Sequence, residues 1–204
     1  MNKHISPKAI NRLTLYHAIL TDYIEKETEF ISSTQIATIL RLDQSQVRKD
    51  IQLLKSQGKC NVGYAVKELK LLIEQYLGFQ KPKDTFIIGA GNLGLALAKY
   101  DDFVNYGLNI LALFDIDPFK IKMTANGKEI FHINKLTNLI ERLNIEIIIL
   151  TVPRNSAQYV ADLLSNTRIK YIWNFTPVVL AVPNEIEVWN ENLIGNFLQF
   201  TLKI

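Results

Sequence analysis

The chain has 204 residues, 48% hydrophobic and 21% charged, which are ordinary proportions for a protein with a buried core. No apolar run approaches the roughly 18 residues a membrane-spanning helix needs. The first residues carry no apolar leader, and one cysteine, Cys60, excludes an intrachain disulfide framework or a multi-cysteine metal site, so the expected location is the cytoplasm. The net charge of +3 is small but uneven: residues 1–80 hold 11 Lys and Arg against 8 Asp and Glu, and residues 81–204 hold 12 of each. The surplus is compatible with a nucleic-acid face in the first 80 residues, although a surplus of this size is common on proteins that bind none.

Ser6-Pro7 reads as a helix N-cap with Pro at the first helical position. Ile10, Leu13, Leu15, Ile19, Leu20 and Ile24 then recur at helical spacing. A second, short helix starts at Ser32 or Ser33 and carries Ile36, Ile39 and Leu40. Arg41-Leu42-Asp43 leads to a third, with Val47, Ile51 and Leu54 inward. Helix, short helix, tight turn and helix is helix-turn-helix order. The segment from Gly58 to Tyr64 suggests a small hairpin, the wing of a winged helix, and a fourth helix over Val66–Leu77 closes a domain of residues 1–80. In the third helix Gln46 can read adenine and Arg48 can read guanine or grip a phosphate. Lys49 and Lys59 suit phosphates. Arg48 and Lys49 read equally well as a solvated helix face.

From Asp84 onward strands alternate with helices. The short apolar runs 86–88, 110–114, 145–150 and 171–173 suit strands buried on both faces. Segments 93–99, 135–143 and 156–164 can be the helices between them. The expected fold class is therefore α/β: a winged-helix domain, then a Rossmann-type, doubly wound parallel sheet over residues 81–188. Residues 189–204 form a third segment, where Leu193, Ile194, Phe197, Leu198 and Leu202 make an apolar helix face. That face can pack on its own domain or on a partner subunit.

Gly89-Ala90-Gly91-Asn92-Leu93-Gly94 fits G-x-G-x-x-G between an apolar strand and a helix. The first glycine allows the tight turn, the second lets the backbone approach a pyrophosphate, and the third lets helix and strand pack closely. The helix N-terminus adds free N–H groups for phosphate. Asp115 follows Gly94 by 21 residues, ends the next strand and can accept hydrogen bonds from ribose hydroxyls. Its carboxylate would repel a 2′-phosphate, which favours NADH and NAD+ over NADP(H), with Lys120 and Lys122 just downstream as a reservation. Thr151, Val152 and Pro153, and Asn174, Phe175 and Thr176, end later strands and should face the same crevice. Simple strand termination reads those loops as well. No histidine among His4, His17 and His132 is placed as a proton donor at a nicotinamide, and no stretch is left for a substrate domain, so the chain is not read as an enzyme.

One ordered series resembles the Rex family of redox-sensing transcriptional repressors over nearly the whole chain. It comprises Gln46-Val47-Arg48-Lys49-Asp50, Val62-Gly63-Tyr64, the glycine loop, Tyr100, Phe114-Asp115-Ile116-Asp117-Pro118, Thr151-Val152-Pro153 and Asn174-Phe175-Thr176-Pro177. The resemblance implies a homodimer with a C-terminal helix exchanged between subunits, and a repressor held on palindromic, AT-rich operator DNA until NADH replaces NAD+. The DNA-contacting set becomes Ser45, Gln46, Arg48, Lys49, Lys59 and Tyr64. A switch pairing joins Tyr100 to the start of the last helix.

The chain departs from the family pattern in three places. Residues 51–57 lack the usual aromatic, glycine-rich stretch, and Cys60-Asn61 replaces a basic wing tip. Asn192, beside Glu191, stands where the family has an acidic switch residue, and Ala18 where some members have a basic one. Discrimination between NADH and NAD+ is expected to be altered. Two other readings stay open here: an NAD(H)-binding paralogue that acts through a protein partner with weak or no DNA binding, and a small oxidoreductase.

Overall fold

The structure, a computed structural model, describes residues 5–56, 58–59 and 62–202. The chain divides into two compact units, residues 1–81 and 82–204. No helix among the described residues is long and apolar enough to cross a membrane.

In the first unit, α1 (Pro7–Glu25) starts where the Ser6 hydroxyl accepts from the Ala9 amide, with Pro7 at a position whose missing N–H costs nothing. Its buried face is Ala9, Leu13, Tyr16, His17, Ile19 and Leu20. That corrects the sequence stripe: Leu15 is half exposed and Ile10 lies outside the core, because the face turns by helical steps through Tyr16 instead. β1 (Phe30–Ile31) follows. α2 (Ser33–Leu40) opens on a capping box, Ser32 and Gln35 each bonding the other's backbone amide. It buries Ile36 but not Ile39. α3 (Gln44–Leu53) is capped by Asp43, and its Val47 and Ile51, with Leu54 beyond its end, face the core as the spacing requires. Lys59 and Gly63 form an antiparallel bridge, which makes the wing a hairpin, while the expected tip residues Cys60 and Asn61 lie outside the described residues. β2 (Tyr64–Ala65) pairs antiparallel with β1. A glycine is required at position 63, where φ is +104° and a Cβ would come within 2.5 Å of the Ile31 carbonyl oxygen. α4 (Val66–Leu77) ends at Gly78 in the left-handed region. It buries Val66, Leu69 and Ile73 in the core shared with α1, α2 and α3.

The second unit runs β3 (Lys83–Ile88), α5 (Asn92–Ala98), a 3₁₀ turn (Asp101–Tyr106), β4 (Leu108–Asp115), β5 (Thr124–Ala125) and β6 (Lys128–His132). It continues with α6 (Leu136–Leu143), β7 (Ile147–Leu150), α7 (Arg154–Leu164), β8 (Tyr171–Asn174), β9 (Glu187–Asn190) and α8 (Leu193–Thr201). The seven strands lie in the order β5-β6-β4-β3-β7-β8-β9, all parallel except β5. Successive residues of β3 feed opposite faces: Phe86 and Ile88 pack with α6 and α7, and Ile87 packs with Ala98 of α5. The unit is thus doubly wound, and the strand order reverses at β3, where such sheets leave a crevice. β5 and β9 are not among the strands the sequence predicts. β9 is a half-exposed edge with no apolar run to betray it. The β5–β6 hairpin did carry a signal, Asn126-Gly127 with both residues at positive φ. α8 buries none of its residues on its own chain, and Leu193, Ile194, Phe197, Leu198, Phe200 and Leu202 are all exposed.

Candidate dinucleotide site and nucleic-acid interface

The loop after β3 is pinned before it is open. The Gly89 amide donates to the Phe114 carbonyl at 2.7 Å. Gly89 has φ +102°, and a Cβ there would meet the Thr151 backbone at 2.9 Å. A Cβ on Gly94 would lie 1.9 Å from the Gly89 carbonyl oxygen, so α5 can press on β3 only without a side chain. Gly91 is different: a Cβ there meets nothing within 4 Å. Two glycines therefore serve packing, and the middle one leaves the backbone accessible. Gly91 opens on a cavity of about 590 Å³ that Gly89, Asp115, Thr151, Val152 and Pro153 also line. This cradle fits a dinucleotide: bare backbone for a pyrophosphate, the first amides of α5 beside it and a carboxylate at the end of the next strand.

Asp115 is held from three sides. Its Oδ2 accepts from the Ala90 amide at 2.8 Å and its Oδ1 from the Asp117 amide at 2.9 Å, while Lys120 Nζ donates from 3.2 Å. Burial pushes the carboxyl up, but the two amides and the ammonium outweigh it and hold it below the ordinary aspartate value. It is a carboxylate, an acceptor that ribose hydroxyls can use. Lys120 lines the cavity and also pairs with Asp117 at 3.7 Å, whereas Lys122 is exposed and off the lining.

Thr151 works on the loop as much as on the cavity, its hydroxyl donating to the carbonyls of Gly89 at 2.8 Å and Ile88 at 3.1 Å. The structure does not bring Asn174, Phe175 or Thr176 to this cavity. The Asn174 amide donates to Val178 and Asn190 and accepts from the Thr176 amide and hydroxyl, so both polar side chains are spent on shaping their own turn. Phe175 packs on Trp173, centroids 4.9 Å apart. Asn92 and Leu93 open α5 without lining the cavity, with Leu93 exposed. The sequence reading missed Ser156 and Tyr159 of α7, which do line it; their three-residue spacing after Pro153 was the available signal. No group of three or more His, Cys, Asp or Glu side chains that could hold a metal occurs among the described residues.

The switch pairing is not made within this chain. Tyr100 is exposed and lies edge-on to Phe103 at 4.9 Å. Asn192 caps α8, accepting from the Gly195 amide at 2.8 Å. Glu191 accepts from the Trp173 indole at 2.8 Å, and Ala18 is exposed on α1.

The other surface is α3. Ser45, Arg48 and Lys49 are exposed on it, Gln46 is half-buried at its border, and Gln52, which the sequence reading passed over, is exposed on the same side. Gln44 donates to Ser33 at 3.3 Å and Thr34 at 2.6 Å, and Arg48 Nε to Ser33 at 3.3 Å, which fixes α3 on α2. Those bonds leave the terminal nitrogens of Arg48 for an outside acceptor. Lys59 lies over the Phe30 ring at 5.4 Å, and the half-buried Tyr64 ring sits against Gly58. Asp50 points the other way and is buried: Arg12 donates to it at 2.6 and 2.8 Å and the Tyr16 hydroxyl at 2.8 Å. The tripeptide Arg48-Lys49-Asp50 thus divides into two outward cations and one inward anchor.

Fold and site define a class, a winged-helix unit followed by a doubly wound unit with an open glycine loop. Comparison with known proteins narrows it. Residues 80–178 match the family described as "CoA binding domain", and residues 4–51 match "Putative DNA-binding protein N-terminus". The chain is 38% identical to the redox-sensing transcriptional repressor Rex of Clostridium botulinum (strain Hall), over 99% of this chain and 96% of that one. It is 37% identical to the protein of that name from Clostridium beijerinckii, over 97% and 93%. Among solved structures, RSP in complex with β-NAD+ and operator DNA matches at TM-score 0.88 and 34% identity, over 99% of this chain and 93% of that one. RSP in complex with β-NADH matches at 0.84 and 33%, over 99% and 95%. This chain belongs to the Rex family of redox-sensing transcriptional repressors.

Proposed function

We propose that the protein is a cytoplasmic, NADH-responsive transcriptional repressor without catalytic activity, which binds palindromic operator DNA as a homodimer. The observation that carries the reading is the division of labour in the glycine loop: a Cβ on Gly89 or Gly94 would press against neighbouring backbone, whereas one on Gly91 would meet nothing and project into open space beside the cavity that Asp115 borders. When bound, the cofactor supplies the redox signal, since its oxidised and reduced nicotinamides differ by a hydride and one positive charge. Gly91 gives the pyrophosphate backbone access, and Asp115 accepts from a ribose. Thr151 holds the loop in place. Ser45, Gln46, Arg48 and Lys49 face the major groove, and Lys59 and Tyr64 belong to the wing. Relatives described with β-NAD+ plus operator DNA and with β-NADH support both halves of the reading.

Gly91→Ala tests it, because the added methyl meets no protein atom and can obstruct only a ligand. The expected result is an unchanged melting temperature, NADH affinity lowered at least tenfold by calorimetric titration, and operator complexes that no longer dissociate on adding NADH. Wild-type NADH affinity in this variant would overturn the reading.

A further inference from the structure

The Asp50 carboxylate has a third partner, and it lies at the border of the groove-facing side of α3. Gln46 Nε2 donates to Asp50 Oδ1 at 2.9 Å, one helical turn away. Asp50 is itself immobilised: it is 2% exposed, gripped by both Nε and Nη2 of Arg12, and bonded to Tyr16, which is fully buried. An ionised carboxylate accepts only, so the amide of Gln46 must turn its nitrogen inward; the reverse would set two acceptors together. The carbonyl oxygen and the second N–H of the amide are then left to face outward. In the major groove adenine alone offers the complement, an N6–H donor beside the N7 acceptor, whereas guanine presents two acceptors.

We propose that Asp50, clamped by Arg12 and Tyr16, is a specificity-positioning residue that orients the Gln46 amide to read one adenine in each operator half-site. The proposal rests on α3 being the recognition helix. Asp50 touches no DNA. It acts by removing the alternative amide orientation, in which the outward groups would suit a different base edge. Arg12 and Tyr16 act one step further back, by denying Asp50 any other position.

Selection from a pool of duplexes with randomised palindromic half-sites, using the full-length protein without NADH, tests this. The wild type should enrich one adenine per half-site. Gln46→Ala should lose that preference, about tenfold or more, while preferences elsewhere in the site persist. Gln46→Glu, which presents acceptors only, should exchange adenine for cytosine, whose N4 amine donates. Asp50→Asn leaves the amide polarity unspecified and should relax the adenine preference by a similar factor, with overall affinity for non-specific duplex retained. Tyr16→Phe removes one clamp without emptying the core and should give an intermediate relaxation, so it decides the matter if Asp50→Asn fails to fold. Either of two results overturns the positioning role: an adenine preference that survives Gln46→Ala, or one that Gln46→Ala abolishes while Asp50→Asn and Tyr16→Phe leave intact. Wild-type protein with no duplex preference at all would overturn it differently, by removing the recognition role of α3.

Discussion

Asp50 and Asp115 do opposite jobs with the same chemistry. Each is a carboxylate taken out of water, which raises its pKa, and each is returned below the ordinary value by donors aimed at it: Arg12, Tyr16 and Gln46 for Asp50, backbone amides and Lys120 for Asp115. A depressed folded-state pKa contributes stability that is present above the unfolded value, about 3.9, and lost as pH falls through the folded one. Denaturant midpoints should therefore be level from pH 7 to about 5 and fall below about pH 4. Asp50→Asn should flatten that fall. Removing one partner of the buried pair, as in Arg12→Ala, should cost about 3 kcal/mol by urea unfolding, since Asp50 would keep its charge without its counter-ion. At the glycine loop, Gly94→Ala should contrast with Gly91→Ala: with a Cβ 1.9 Å from a carbonyl oxygen, it should lower the melting temperature as well as cofactor affinity.

Among the elements, α3 and α8 were legible in unequal measure. The periodicity of Val47, Ile51 and Leu54 located the inward face of α3, and capping residues placed the starts of α1 and α2 within a residue. The inward turn of Asp50 was invisible, because its counter-ion Arg12 and its hydroxyl donor Tyr16 lie 38 and 34 residues away. For α8 the sequence showed an apolar face and could not say what covers it. Within the second unit no described residue covers it: Phe197 is 61% and Leu198 48% exposed. An apolar helix left in water is a partner surface, and a second copy is the partner the proposed homodimer supplies. Phe197→Glu together with Leu198→Glu should yield a monomer by sedimentation, with a folded second unit and operator affinity much reduced. At α3, Lys49→Ala should weaken binding to all duplexes alike and lower the salt slope by about one.

For the whole molecule the coupling is thermodynamic: NADH can release DNA only if it binds the DNA-free arrangement more tightly than the DNA-bound one. Titrating the wild-type operator complex should show dissociation with NADH at concentrations where NAD+ leaves it intact. Asn192, an amide, caps α8, and Glu191 accepts from the Trp173 indole, so the carboxylate beside the capping residue is held by Trp173 and not by Tyr100. A discrimination between NADH and NAD+ smaller than a hundredfold, measured by competition, is the expected consequence. The sequence by itself determined the order of elements, the glycine loop with its strand before and acid after, and the division into a helical and an α/β part, because those depend on local periodicity, caps and motif spacing. Only the tertiary structure decided that Asn174 and Thr176 are spent on their own turn, that Asp50 is an anchor, and that α8 is left uncovered within its own unit. Each of those depends on atoms brought together from distant parts of the chain, or on their absence, and no local pattern carries that information.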